Sequence, residues 1–182
     1  EVRAAIEQNC DNVGNWLAFG RINLGRGLAA VIPPVNEEFP PQTIDLFVGA
    51  GSLGNVTYVT ESDGLRFLVS STASSLGQVA GAQFSITMTE PLANITKLSL
   101  EIEANGPLRG TGMVWLYNWR TEQIDYFGAY ALNPTDRAHS LRLYSLADYV
   151  SSSGEVRAVT RAHVPLRQGG FRPFTYGLNE VK

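Results

Sequence analysis

The chain has 182 residues but only one cysteine, Cys10, two histidines and two lysines, Lys97 and Lys182. A lone thiol excludes an internal disulfide framework and a cysteine-rich zinc site. Cys10 is also a poor candidate nucleophile, because His139 and His163 both lie more than a hundred residues further along. Charged residues make up 17% of the chain, with a formal net charge of −3. That balance excludes the basic footprint by which proteins bind nucleic acid. No apolar run reaches the roughly 18 residues that a membrane span needs. Metalloprotease, nucleophile-elbow, P-loop and dinucleotide motifs are missing as well. "GAGSLGN" resembles a phosphate-binding loop but has no helix after it, and is expected to be a hairpin turn.

What is present is alternation. "TIDLFV" (Ile44, Leu46, Val48), "LRFLV" (Leu65, Phe67, Val69), "QFSITMT" (Phe84, Ile86, Met88) and "KLSLEIEA" (Leu98, Leu100, Ile102, Ala104) repeat with period two. "EVRAVTRAHV" sets Val156, Ala158, Thr160, Ala162 and Val164 against Glu155, Arg157, Val159, Arg161 and His163. Strands apolar on one face only belong to antiparallel sheets. Nine or ten of them, separated by turn signals such as "SDG", "NG", "NPTD" and "SSSG", predict an all-β antiparallel sandwich, with a jelly roll as one form. Before it, "EVRAAIEQNCDNVGNWL" has Val2, Ile6, Cys10, Val13 and Leu17 at helical spacing, which predicts a short N-terminal helix. An extended segment with two Pro-Pro pairs follows. The expected organisation is a helix and Pro/Gly-rich arm over 1–42, then a sandwich domain over 43–182.

The most distinctive stretch is "GMVWLYNWRTEQIDYFGAY". Alternation places Val114, Leu116 and Asn118 on one face and Met113, Trp115, Tyr117 and Trp119 on the other. If the first set faces the core, the second forms an aromatic row with rings about 6.6–7 Å apart. Such a row suits carbohydrate, each ring meeting the apolar face of a pyranose, with Arg120, Asn118 or Gln123 fixing orientation by hydrogen bonds. The candidate ligand-binding residues are therefore Trp115, Tyr117, Trp119 and Arg120. The competing expectation is that large aromatics are buried, here beneath the stripe of Ile6, Val13 and Leu17. Asn118, pointing inward, requires a hydrogen-bond partner and is expected to fix a turn. Arg157 and Arg161 are expected to pair with Glu101, Glu103 or Glu155.

Aspartates stand near strand ends. Two carboxylates facing one cleft would make a glycosidase, whereas several loop oxygens would hold a structural calcium. Asp63, Asp125 and Asp136 are the candidate metal ligands, but turn-making is the commonest use of such aspartates. "NVT" at Asn55 and "NIT" at Asn94 are glycosylation sequons, of consequence only in a host that glycosylates them.

Three segments in order, "ESDGLRFLVS", "VWLYNWRTEQID" and "ADYVSSSGEVRAVTRA", resemble the C-terminal β-sandwich module of large secreted planctomycete-type bacterial proteins. The resemblance covers about residues 43–166 and rests chiefly on Tyr117-Asn118-Trp119 and Gly154-Glu155-Val156-Arg157. Gly64 stands where that family has the second aspartate of an acidic pair. The resemblance implies a non-catalytic extracellular module and brings no established ligand or catalytic residues; no cofactor is expected, a structural calcium being the one alternative. The chain begins at Glu1 without a methionine, so processing or truncation is expected, with any targeting segment already gone. The functional expectation is a non-enzymatic structural or assembly module at the cell surface or outside it. It would contact a second copy or neighbouring domains through its arm or its sheet edges. Carbohydrate binding on the aromatic row is the alternative, with a polysaccharide as partner, and a pilin-like filament subunit is a further one.

Overall fold

The structure, a computed structural model, describes residues 10–11, 21–22, 37–95, 97–143, 146–166 and 172–182. The chain divides into two compact units, Glu1–Glu37 and Glu38–Lys182. In the first, strands β1 (Cys10–Asp11) and β2 (Arg21–Ile22) pair antiparallel, Cys10 opposite Ile22. The helix expected over 1–17 therefore does not run through Cys10, which is extended. The rest of that helix and the first proline pair, Pro33-Pro34, lie outside the described residues, whereas Pro40-Pro41 lies within them just before β3.

The second unit is an antiparallel β-sandwich. One sheet contains β3 (Thr43–Val48), β6 (Thr72–Ser74), β7 (Gly77–Thr87), β9 (Thr111–Asn118), β10 (Gln123–Ala131) and β12 (Glu155–Pro165). Its order is β10-β9-β12-β7-β3, with β6 also on β7. The other sheet contains β4 (Gly51–Leu53), β5 (Phe67–Ser70), β8 (Leu98–Asn105), β11 (Arg137–Leu143) and β13 (Thr175–Val181), in the order β11-β8-β13-β5-β4. A single helical turn, α1 (Leu146–Tyr149), precedes β12.

Alternating side chains from the two sheets form the core. Phe84, Ile86, Val114, Leu116, Val156 and Ala158 come from the first sheet and meet Phe67, Val69, Leu100, Ile102, Tyr176 and Leu178 from the second. Phe39, within the segment read as a covering arm, packs against this core. Two strand expectations shift. Register breaks between Leu46 and Val48 in β3, a bulge that leaves Leu46 and Phe47 39% and 45% exposed. "GAGSLGN" is not a simple hairpin turn: its Gly51–Leu53 is a strand of the second sheet, so the chain changes sheets there.

A closed ring of hydroxyls sits inside the sandwich. Tyr130 Oη, Thr160 Oγ1 and Tyr176 Oη are mutually hydrogen-bonded, with Thr160–Tyr176 at 2.7 Å and Tyr130–Thr160 at 3.1 Å. Three hydroxyls in a triangle can each donate once and accept once, so no polar atom of the ring is wasted. Burial pushes the Tyr176 phenol well above its ordinary pKa and raises that of Tyr130. Gly112 makes room for the ring of Tyr130: a Cβ there would lie 2.2 Å from it. His139 stacks on Tyr130, centroids 4.2 Å apart.

Candidate functional site on the outer face of the first sheet

The opposite face of the same sheet carries the aromatic row. Along β9 burial alternates without a break: Gly112, Val114, Leu116 and Asn118 are buried, while Thr111, Met113, Trp115 and Tyr117 are half-buried. The row thus lies outside the inter-sheet core, and it is neither fully buried nor fully exposed. Its rings are not coplanar. Tyr117 and Trp119 meet edge to face at 4.9 Å and 80°, and Trp115 meets Tyr126 of β10 at 5.8 Å and 68°. A flat stacking platform is therefore not what the row forms.

Arginines of β12 lie over the rings. The Arg157 guanidinium is 4.7 Å from the Trp119 centroid and 5.9 Å from that of Tyr117. Arg161 is 4.8 Å from that of Trp115, the residue whose strand neighbour in register is Val159. A planar, delocalised cation suits an aromatic face, and stacking holds its fork in place. Of the carboxylates expected to pair with these arginines, Glu155 does so and the other two do not. Glu101 and Glu103 belong to β8 in the other sheet, out of reach. Arg157 pairs with Glu155, two residues away on its own strand, at 2.7 Å.

The turn after β9 is fixed from beneath. Asn118 is buried; its Oδ1 accepts from the Arg120 and Thr121 amides at 3.0 and 3.1 Å, and its Nδ2 donates to Asp125 at 2.8 Å. The inward polar residue is thus a turn-fixing side chain. Asp125 also accepts from the Tyr149 hydroxyl at 3.1 Å, which ties α1 to the hairpin. Arg120, singled out from sequence as a ligand contact, turns to Asp148 of α1 with Nε to Oδ1 at 2.7 Å. Hydrogen bonding to that carboxylate raises its pKa.

These elements enclose an open cleft of about 600 Å³. Trp119, Arg120, Glu155 and Arg157 line it with the Ser151–Ser153 turn. Gly154, at φ +83°, closes that turn, and a Cβ there would sit 2.5 Å from the Met88 carbonyl oxygen. The cleft offers an indole, two guanidinium forks, a carboxylate and serine hydroxyls, with its charges already paired. Such a lining suits a neutral, hydroxyl-rich ligand. Of the residues proposed from sequence, Trp119 and Arg120 come together here, Tyr117 adjoins Trp119, and Trp115 lies further along the face beside Arg161. Arg157, Arg161, Glu155 and the serines are not among the site residues proposed from sequence, although the period-two pattern of β12 places its arginines on this outer face.

The candidate metal ligands do not converge. Asp63 accepts from the Leu65 amide at 2.8 Å in a local turn, Asp125 holds Asn118 and Tyr149, and Asp136 takes Arg66 in a two-pronged pair and Asn105 at 2.8 Å. No group of three or more potential ligands forms among the described residues. Asn55 of the first sequon caps a short 3-10 turn, its Oδ1 accepting from the Thr57 amide at 3.0 Å.

No protein-family description matches the chain, and no curated protein does. Among solved structures, the carbohydrate-binding module CBM4 is similar, with 14% identity over 72% of this chain and 88% of that one, at a TM-score of 0.44. A CBM61 in complex with β-1,4-galactotriose has 5% identity over 78% and 83% of the two chains, TM-score 0.37. The enzymatically active domain of bacteriophage CBA120 tailspike protein 4 has 12% identity over 78% of this chain and 19% of that one, TM-score 0.38. These likenesses are remote, and the functional case rests on this chain's own residues.

Proposed function

We propose that residues 38–182 form a non-catalytic module that binds a polysaccharide on the outer face of its first sheet, as part of a protein that acts outside the cell. The observation that carries this is the cleft lined by Trp119, Arg157, Glu155, Arg120 and Ser151–Ser153. Sugars need planar hydrogen-bonding groups for their hydroxyls and an apolar edge for their C–H faces, and the cleft supplies both. The ring contact is with the end of the aromatic row, where Trp119 meets the cleft, rather than with a coplanar strip. The non-catalytic part is supported by how the carboxylates are used. Asp125, Asp136 and Asp148 are each committed to a side-chain partner, and Asp63 to a turn.

Pull-down on a panel of insoluble polysaccharides tests this reading. The wild type is retained by at least one polymer without shortening it, and Trp119→Ala and Glu155→Gln release the protein while circular dichroism stays unchanged. Retention by none, or retention indifferent to both substitutions, overturns it.

A second reading, self-association through a sheet edge, has one observation in its favour. Strand β10 is an edge of its sheet and carries Ile124 and Tyr126, 50% and 60% exposed. Apolar edges invite pairing with another chain. Light scattering decides it: Ile124→Lys converts a dimer to a monomer, whereas a wild type monomeric at all concentrations rules it out.

A further inference from the structure

Arg161 differs from the other arginines whose contacts define this molecule. Arg66, Arg120 and Arg157 each hold a carboxylate, Asp136, Asp148 and Glu155 respectively. Arg161 has no ion pair among the described residues, although it is half-buried on the outer face. Its Nε is shielded from solvent and has no hydrogen-bond partner. Trp119 Nε1, on the same face, is in the same condition. Buried donors without partners are rare and call for an explanation. The remaining one among the described residues, Gln78 Oε1, is an acceptor near the end of β7, opposite Val164.

The geometry around Arg161 is that of a receiver. Stacking on Trp115 orients the guanidinium plane, so its fork need not be ordered when an anion arrives. Paired oxygens of a carboxylate match that fork in two parallel hydrogen bonds. Arg161 lies four residues from Arg157 on β12, about 13 Å along the strand from the cleft. A chain-like ligand seated in the charge-balanced cleft and running along β12 would reach it.

We propose that Arg161 receives the carboxylate of a uronic acid residue, and that the glycan bound by this module is therefore acidic. The inference rests on the glycan-binding reading and adds the ligand's class to it. Neutral sugars would satisfy the cleft but leave Arg161 without its counter-charge.

Affinity electrophoresis tests it with polygalacturonate and alginate, each beside its carboxyl-reduced counterpart, and with dextran sulfate as an anion that lacks carboxylates. The wild type prefers at least one polyuronate over its reduced form by about tenfold or more, as a charge-assisted pair implies. Added salt narrows the gap. Arg161→Gln brings the ratio close to one, and Arg161→Lys, which keeps the charge but loses the fork, restores only part of it. A ratio unchanged in Arg161→Gln overturns the inference, and so does binding confined to neutral polymers, although the glycan reading survives both. Retardation by dextran sulfate equal to that by the polyuronates overturns the carboxylate assignment. Absence of binding to these polymers and to the wider panel overturns both readings together.

Discussion

Thr160 and Arg161 are neighbours on β12 and opposites in their chemistry. Thr160 faces inward, has no exposure, and closes a hydroxyl ring with Tyr130 and Tyr176 in which each bond is used. Arg161 faces outward, stacks on Trp115, and leaves a shielded donor unused. Two successive residues of one strand thus present a polar group whose hydrogen bonds the protein completes and one with a donor that it leaves without a partner. Satisfied buried networks stabilise a unique core, whereas a shielded donor without a partner calls for an explanation. The difference separates the residues that hold the fold from those proposed to meet a ligand.

Substitutions on the inner side break the comparison most strongly. Leu116→Ala, at a position with no exposure, costs about 2–5 kcal/mol in urea unfolding. Its outward neighbour Trp115→Ala leaves the domain folded with a clearly smaller loss; equal losses would erase the distinction between faces. Gly112→Ala follows, because its new Cβ collides with the Tyr130 ring, and overpacking of this kind costs about 1–3 kcal/mol. Thr160→Val leaves the two tyrosine hydroxyls with only each other and lowers the unfolding free energy by a comparable or smaller amount, about 1–3 kcal/mol for a broken buried bond. The smallest effect is one of pH. Burial, with Arg137 nearby, lowers the pKa of His139 from its ordinary value near 6.5. A depressed folded-state pKa means that the unfolded chain takes up the proton first, so this contribution to stability is present above about pH 6.5 and lost as pH falls below it. The stability difference between wild type and His139→Phe should therefore shift in favour of the variant on acidification, as thermal midpoints measured across that range would show.

Much of this two-faced arrangement is legible in the sequence. Alternation in "VWLYN" and "EVRAVTRAHV" assigns each side chain of β9 and β12 to its face, and the polar Asn118 on the inner side announces its own turn bonds. What alternation cannot convey is which side chains meet across strands. Arg157 lies over Trp119, and Arg161 over Trp115, because β12 pairs with β9 in one register, and those residues are separated by 38 and 46 positions in the chain. Nor does periodicity reveal the bulge at Leu46, since a one-residue register shift leaves the local pattern of β3 unaltered. The cleft is invisible for the same reason: its serine turn and its indole come from different hairpins.

The central claim is that the ligand is met on the outer face alone. Affinity electrophoresis of Thr160→Val, Trp119→Ala and Arg157→Gln in one polysaccharide-containing gel tests it most directly. The account predicts that Thr160→Val is retarded like the wild type despite its lower stability, while Trp119→Ala and Arg157→Gln migrate as in a gel without polysaccharide. Equal retardation of all three, or its loss only in Thr160→Val, would contradict it.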